Sequence, residues 1–207
     1  YLAPMEGITD SIYRRIHHKY FPGVDRYYMP FLSPTIHRTL THKEDRELPV
    51  ADRVDFVAIP QILTKVPEDF LWAAEQCRDR GYTEVNLNVG CPSGTVVSKG
   101  KGSGMLRNPE ELDSFLDAVF EKSPIPISVK TRLGLEDPEE FPALLEVFNR
   151  YPITELTVHP RVRKDFYKES VRENWFRYAC EHSKNPLCYN GNLMTREQSD
   201  SIENRYP

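Results

Sequence analysis

The residues Asn88-Val89-Gly90-Cys91-Pro92 carry the sharpest chemical signal in the chain. Cys91 closes a short apolar run and is followed by a proline and a glycine-rich stretch, so its thiol is expected to be accessible at the end of a strand. An ordinary thiol titrates near about 8.5 and is mostly protonated at neutral pH, so it can give a proton to a carbon acid; with a lowered pKa it can act as a nucleophile instead. Most lone cysteines are small buried hydrophobes. The strand-end position and flanking glycines favour the reactive reading here.

Three more strand ends deliver groups of the same kind. Lys130 ends an apolar run; it is either a solvated lysine or a fixed cation beside an electron-rich ring, where negative charge must be stabilised. His159 follows Leu156-Thr157-Val158 and reads as a packing residue or as a hydrogen-bonding partner of a planar cofactor. Asn190-Gly191 is a turn dipeptide or a source of backbone N–H groups for a phosphate. The stretch around Gly100, Gly102 and Gly104 does not fit the nucleotide-binding glycine patterns. It is expected to be a mobile lid.

These residues need a scaffold that aims several strand ends at one place. Short β-branched runs at 2–5, 26–29, 56–62, 84–89, 127–130, 155–159 and 187–190 alternate with helix-like segments at 10–20, 68–80, 109–121, 138–150, 173–182 and 195–203. Asn108-Pro109-Glu110-Glu111 and Asp137-Pro138-Glu139-Glu140 combine a cap, a first-turn proline and acids that suit a helix start. Alternation of this kind implies a parallel sheet with right-handed crossovers. Seven strands are one short of a (β/α)8 (TIM) barrel, and the expected fold is such a barrel, incomplete. A doubly wound sheet is the rival, weakened by the lack of GxGxxG after the first strand.

Composition sets the outer limits. The 207 residues include 27 Lys+Arg against 31 Asp+Glu, a net charge of −4, with 39% hydrophobic residues. This is a globular composition, and no run approaches the roughly 20 apolar residues of a membrane span. The opening residues lack the charged start and apolar core of a secretory leader. Cys77, Cys91, Cys180 and Cys188 show neither CxxC pairing nor metal-finger spacing, so no metal is expected and a reducing cytoplasm is the natural setting. Cations at Arg14, Arg15, His17, His18, Lys19, Arg38, Lys43, Lys99, Lys101, Arg161, Arg163 and Lys164 are usually solvated faces, but as a rim they could hold an RNA backbone. Phe166 and Tyr167 could stack on an extruded base or pack in the core.

Taken together, these residues resemble the tRNA-dihydrouridine synthases. The resemblance rests on Ala3-Pro4-Met5-Glu6-Gly7-Ile8-Thr9-Asp10, Gln61-Ile62, Asn86-Leu87-Asn88-Val89-Gly90-Cys91-Pro92, Gly102-Ser103-Gly104-Met105-Leu106, Val129-Lys130-Thr131-Arg132-Leu133-Gly134, Val158-His159-Pro160-Arg161 and Tyr189-Asn190-Gly191-Asn192. It implies a barrel enzyme that reduces uridine in tRNA to 5,6-dihydrouridine, with FMN as cofactor and NADPH as reductant. Pro4, Met5 and Glu6 would hold FMN at the first strand, Gln61, Lys130 and His159 would surround its ring, and Asn190, Gly191 and Asn192 would lie near its phosphate. Cys91 would be the proton donor, and Asn88, Arg132 and Arg161 the substrate contacts. Three departures stand out: Asn192 replaces a usual aspartate, Pro160 a usual small residue, and the eighth-strand phosphate motif and helical RNA-binding domain are absent. Residues 1–207 are therefore expected to form one FMN-binding barrel domain, monomeric. A flavin barrel acting on a free pyrimidine, similar to dihydroorotate dehydrogenase, and a non-catalytic RNA-binding barrel are the alternatives.

Overall fold

A computed structural model describes residues 1–51 and 54–206. The chain divides into two compact units, Tyr1–Asn88 with Ala118–Ile127, and Val89–Asp117 with Ser128–Pro207.

The first unit opens at Leu2, which bridges Tyr27 in parallel as a single pair. The run at 2–5 goes no further as a strand because Pro4 has no N–H to donate and Met5 starts a turn. The Met5 carbonyl accepts from the N–H groups of Ile8 and Thr9, and the Thr9 hydroxyl accepts from the Met5 N–H at 2.8 Å. Helix α1 (Ser11–Tyr20) begins where the Asp10 carboxylate accepts from the Tyr13 N–H. Strand β1 (Tyr27–Tyr28), helix α2 (His42–Glu47), and strands β2 (Ala58–Ile59) and β3 (Gln61–Ile62) follow. The expected 56–62 strand is broken at Pro60, whose ring cannot donate to a ladder. Strand β1 pairs with β2, and Gln61 of β3 faces Asn86 of strand β4 (Val85–Val89), all in parallel. Helix α3 (Pro67–Asp79) covers them with Phe70, Ala73, Ala74 and Cys77, all fully buried.

The second unit contains helix α4 (Gly94–Val97), a 3-10 turn at Gly102–Arg107, most of helix α5 (Pro109–Lys122) and most of strand β5 (Ile127–Arg132). Next come a 3-10 turn at Pro138–Glu140, helix α6 (Phe141–Phe148), strand β6 (Leu156–His159), helix α7 (Glu173–His182), strand β7 (Leu187–Tyr189) and helix α8 (Arg196–Arg205). Strands β5, β6 and β7 pair in parallel, with Lys130 opposite Thr157 and Arg132 opposite His159, while Thr157 faces Cys188. Val129, Leu156 and Val158 are wholly buried, as strands covered on both faces must be. Helices α6 and α7 contribute Phe141, Leu144, Phe148, Phe176 and Ala179 to that core. The architecture is thus α/β with parallel sheets. Among the described residues no helix is long and apolar enough to cross a membrane.

Candidate active site

Cys91 leaves the end of β4 on a loop that is clamped at both neighbouring carbonyls. The Arg132 guanidinium donates from Nε to the Gly90 carbonyl at 3.0 Å. Ser103 donates to the Cys91 carbonyl twice, from its backbone N–H at 3.1 Å and from Oγ at 2.8 Å. Gly90 passes so close to β5 that a Cβ would lie 3.3 Å from the Thr131 carbonyl carbon. Cys91 itself is half-buried, neither lost in the core nor fully exposed. No disulfide engages any of the four cysteines, all of which lie among the described residues.

The glycine-rich stretch differs from the expected lid. Gly102, Ser103, Gly104, Met105 and Leu106 are buried and pack beneath the Cys91 loop. Gly102 has φ +56°, and a Cβ there would sit 2.9 Å from both the Cys91 Cβ and Val96 Cγ1. A Cβ on Gly104 would lie 2.9 Å from the Val97 carbonyl oxygen. These glycines are small because a thiol-bearing loop rests on them, which a hinge reading of the sequence misses.

Lys130 projects from β5 and is half-buried. Among the described residues it forms no ion pair with a carboxylate. Burial pushes its amine down to about 8, the Arg132 cation pushes the same way, and the nearby Cys188 and Cys91 oppose the shift. Cys91 and Lys130 are therefore electrostatic neighbours. His159 is buried at the end of β6 and its Nε2 lies 2.9 Å from Arg161 Nη1. Burial first, then the cations of Lys130, Arg132 and Arg161, hold its imidazole far below the ordinary histidine range. Gly191 approaches closely: a Cβ there would lie 3.6 Å from His159 Cδ2 and 2.9 Å from Val171 Cγ1. The Asn190 N–H is tied to the Val158 carbonyl. Asn192, at φ +30°, accepts from Arg161 Nη1 at 3.1 Å.

Arg132 and Arg161 are each 1% exposed, so Arg161 lies inside and not among the solvent-facing rim cations. Besides Gly90, Arg132 donates to the carbonyls of Val162 and Phe166 at 3.0 and 2.9 Å. Arg161 donates to the Glu169 carbonyl at 2.6 Å. Both hold loops in place through these backbone carbonyls. Arg14 is likewise buried, bonded to the Thr9 and Glu47 carbonyls and paired with the Glu47 carboxylate. Tyr167, by contrast, is 68% exposed, lies over the Arg132 guanidinium at 5.2 Å and has its ring 6.0 Å from that of His159.

The first unit holds the remaining candidates. Gln61 and Asn88 are joined in a buried amide chain: Asn88 Nδ2 donates to Gln61 Oε1 at 2.7 Å, and Gln61 Nε2 donates to Asn86 Oδ1 at 2.8 Å. Asn86 was absent from the expected site, although its i, i+2 spacing from Asn88 puts both on one face of β4. Pro4, Met5 and Glu6 form the turn before α1, and the Glu6 carboxylate accepts from Lys43 Nζ at 2.6 Å. Cys188 and Thr157 were also missed; the strand register that sets them in one row with Lys130 is the signal that finds them.

A family described as dihydrouridine synthase (Dus) matches residues 1–205. The second unit thus presents a thiol just past β4, a neutral imidazole at the end of β6 and a partly desolvated amine within β5, which runs two residues beyond the expected end at Lys130 to Arg132, in a chain that belongs to the dihydrouridine synthase family. It is 29% identical over 199 residues to a probable tRNA-dihydrouridine synthase 1 of Synechocystis, covering 94% of this chain and 54% of that protein. A probable tRNA-dihydrouridine synthase of Staphylococcus epidermidis is 29% identical over 221 residues, covering 99% of this chain and 64% of the relative. One from Staphylococcus aureus is 30% identical over 183 residues, 84% of this chain and 52% of the relative. The chain spans between half and two thirds of the length of these curated relatives.

Proposed function

We propose that this chain carries the catalytic part of a flavin-dependent tRNA-dihydrouridine synthase, with its parallel strands belonging to a (β/α)8 barrel. The observation that carries this reading is the Cys91 loop, pinned by Ser103 and Arg132 with the Lys130 amine as its electrostatic neighbour. The residues present suit FMN. A half-buried cation that pairs with no carboxylate among the described residues matches a ring that must accept negative charge, and a neutral imidazole can hydrogen-bond its edge. Pro4, Met5, Glu6, Gln61, Lys130, His159, Asn190, Gly191 and Asn192 would hold it.

The chemistry FMN supplies when bound is hydride delivery to uracil C6, with NADPH replenishing the electrons. Cys91 Sγ gives its proton to C5, completing reduction of the C5=C6 bond, and recovers a proton from solvent. The Asn88 amide, held by Gln61, orients the uracil edge. Lys130 offsets negative charge as it develops. The base must leave the tRNA stack to reach these groups, and the exposed Tyr167 ring provides a surface on which it can stack. The relatives' names favour tRNA over a free pyrimidine. A cytoplasmic monomer fits four reduced cysteines and a tRNA substrate.

The test uses the full-length protein, compared as wild type and Cys91→Ala, with dihydrouridine measured in a tRNA transcript and flavin by absorbance. Wild type is expected to be yellow and active. Loss of a positioned acid should lower turnover by about 10²-fold or more while flavin and tRNA binding persist. Unchanged turnover removes the acid role from Cys91. A colourless wild type that takes up no FMN removes the flavin reading.

A further inference from the structure

We propose that Arg161 is a positioning residue that locks His159 as a neutral imidazole with its one ring proton on Nδ1, so that His159 serves the site as a hydrogen-bond donor and never as an acid. The argument starts from Arg161 Nη1 at 2.9 Å from His159 Nε2, with both residues buried. A guanidinium stays charged at any pH a protein survives and has no acceptor, so the nitrogen it meets must be the acceptor. A neutral imidazole has one N–H. If Nε2 accepts, that proton sits on Nδ1. Among the described residues Nδ1 has no hydrogen-bond partner, so its N–H remains available to a ligand.

Arg161 is itself fixed. Its Nε donates to the Glu169 carbonyl at 2.6 Å, and Nη1 also donates to Asn192 Oδ1 at 3.1 Å. Both acceptors are neutral, so neither cancels its charge. Around His159 stand Lys130 and Arg132 from β5, Arg161 from the loop after β6, the Tyr167 ring and the Asn192 amide. The carboxylate of Asp165 on the same loop is bound to Arg172 and to the Val162 N–H. Among the described residues His159 therefore meets three cations and no available carboxylate, which opposes protonation in the same direction as burial does. The ligand atom opposite Nδ1 must be an acceptor, a carbonyl oxygen or an imine-type ring nitrogen. That the ligand is a flavin rests on the function proposed above; the state of the imidazole does not.

The experiment is long-range 15N–1H NMR of the histidine rings in the labelled full-length protein without added flavin, with His159 assigned by its loss in His159→Asn. In wild type, His159 is expected to stay neutral with the proton on Nδ1 from about pH 8 down to about pH 5, where an ordinary histidine charges. Arg161→Met should release the lock, giving mixed tautomers, while burial, Lys130 and Arg132 keep the ring neutral across that window. Asn192→Asp supplies a second variant: a carboxylate beside Arg161 offsets one cation and should move the titration upward. Protonation of wild-type His159 inside the window, a proton on Nε2, or an Arg161→Met ring indistinguishable from wild type would overturn the proposal. The wild-type result alone suffices if a variant fails to fold. Because the readout is a ring nitrogen, the lock can stand while Cys91→Ala refutes the synthase reading, and the reverse.

Discussion

At the scale of single residues, two positions carry opposed demands of stability and chemistry. Gly102 has φ +56° and no space for a Cβ against Cys91 and Val96. A left-handed backbone costs an ordinary residue about 1–2 kcal/mol, and the contact with Cys91 adds to it. Gly102→Ala should lower stability by at least that amount in a denaturant titration and reduce turnover by moving the thiol. Gly94, with nothing within 4 Å, provides the control, since Gly94→Ala should do neither. Lys130 costs stability for a different reason. Unfolded, its amine holds a proton up to about 10.5; folded, it gives the proton up at about 8. Between those values the unfolded chain binds more protons, so stability rises with pH across the window, and below it the charged amine is a constant penalty. Lys130→Met should therefore melt higher than wild type at neutral pH, with the gain fading as pH climbs from about 8 to about 10.5. The same variant should lose flavin binding. Melting curves across that range check the sign, and a variant that melts lower at neutral pH contradicts it.

At the scale of elements, the link between β5 and α6 depends on one carboxylate. Glu140 accepts from the N–H groups of Leu135, Glu136 and Asp137 at 2.8, 2.9 and 2.8 Å, while Gly134 at φ +153° leaves it room. A hydrogen bond to a charged group contributes about 1.5–3 kcal/mol net of its exchange with water, and less where, as here, the group is partly exposed. Glu140→Ala leaves three donors to water and should cost about 2–4 kcal/mol in a denaturant titration, with faster amide exchange at 135–137. A loss near zero would mean that the loop is held by packing alone. This element also shows what the sequence made legible. Asp137-Pro138-Glu139-Glu140 announces a helix start, and Asn108 caps α5 as expected, accepting from the Glu110 N–H. Local chemistry writes those signals. The strand ends near Cys91 and His159 were legible for the same reason, since short apolar runs stop where polar groups begin; at Lys130 that rule fails, because β5 keeps its pairing through Thr131 and Arg132. Long-range geometry left no such trace. Nothing local says that the Gly102 stretch is buried under Cys91, that Pro60 splits a strand in two, or that Arg14, Arg132 and Arg161 point inward to carbonyls from distant segments. Each depends on a partner remote in sequence.

At the scale of the whole molecule, a net charge of −4 has to be reconciled with the polyanionic substrate proposed above. Burial removes Arg14, Arg132 and Arg161 from contact with phosphate, and Arg38 and Lys43 are paired with Asp69 and Glu6. The cations that remain useful are those exposed on loops beyond strand ends that carry chemistry. Lys99 follows β4 and α4, and Lys164 follows β6; both side chains are exposed. Each phosphate neutralised by a lysine releases counterions and contributes about −0.9 to the slope of log K against log salt on a duplex, about −0.7 on a single strand. In the full-length protein, Lys99→Ala with Lys164→Ala should weaken tRNA binding and flatten that slope by about 1 to 2. Arg38→Ala should leave the slope alone, because its guanidinium already faces Asp69 at 3.2 Å. An unchanged slope in the double variant would mean that tRNA is held elsewhere, and these strand ends would then act on a base delivered by contacts outside them.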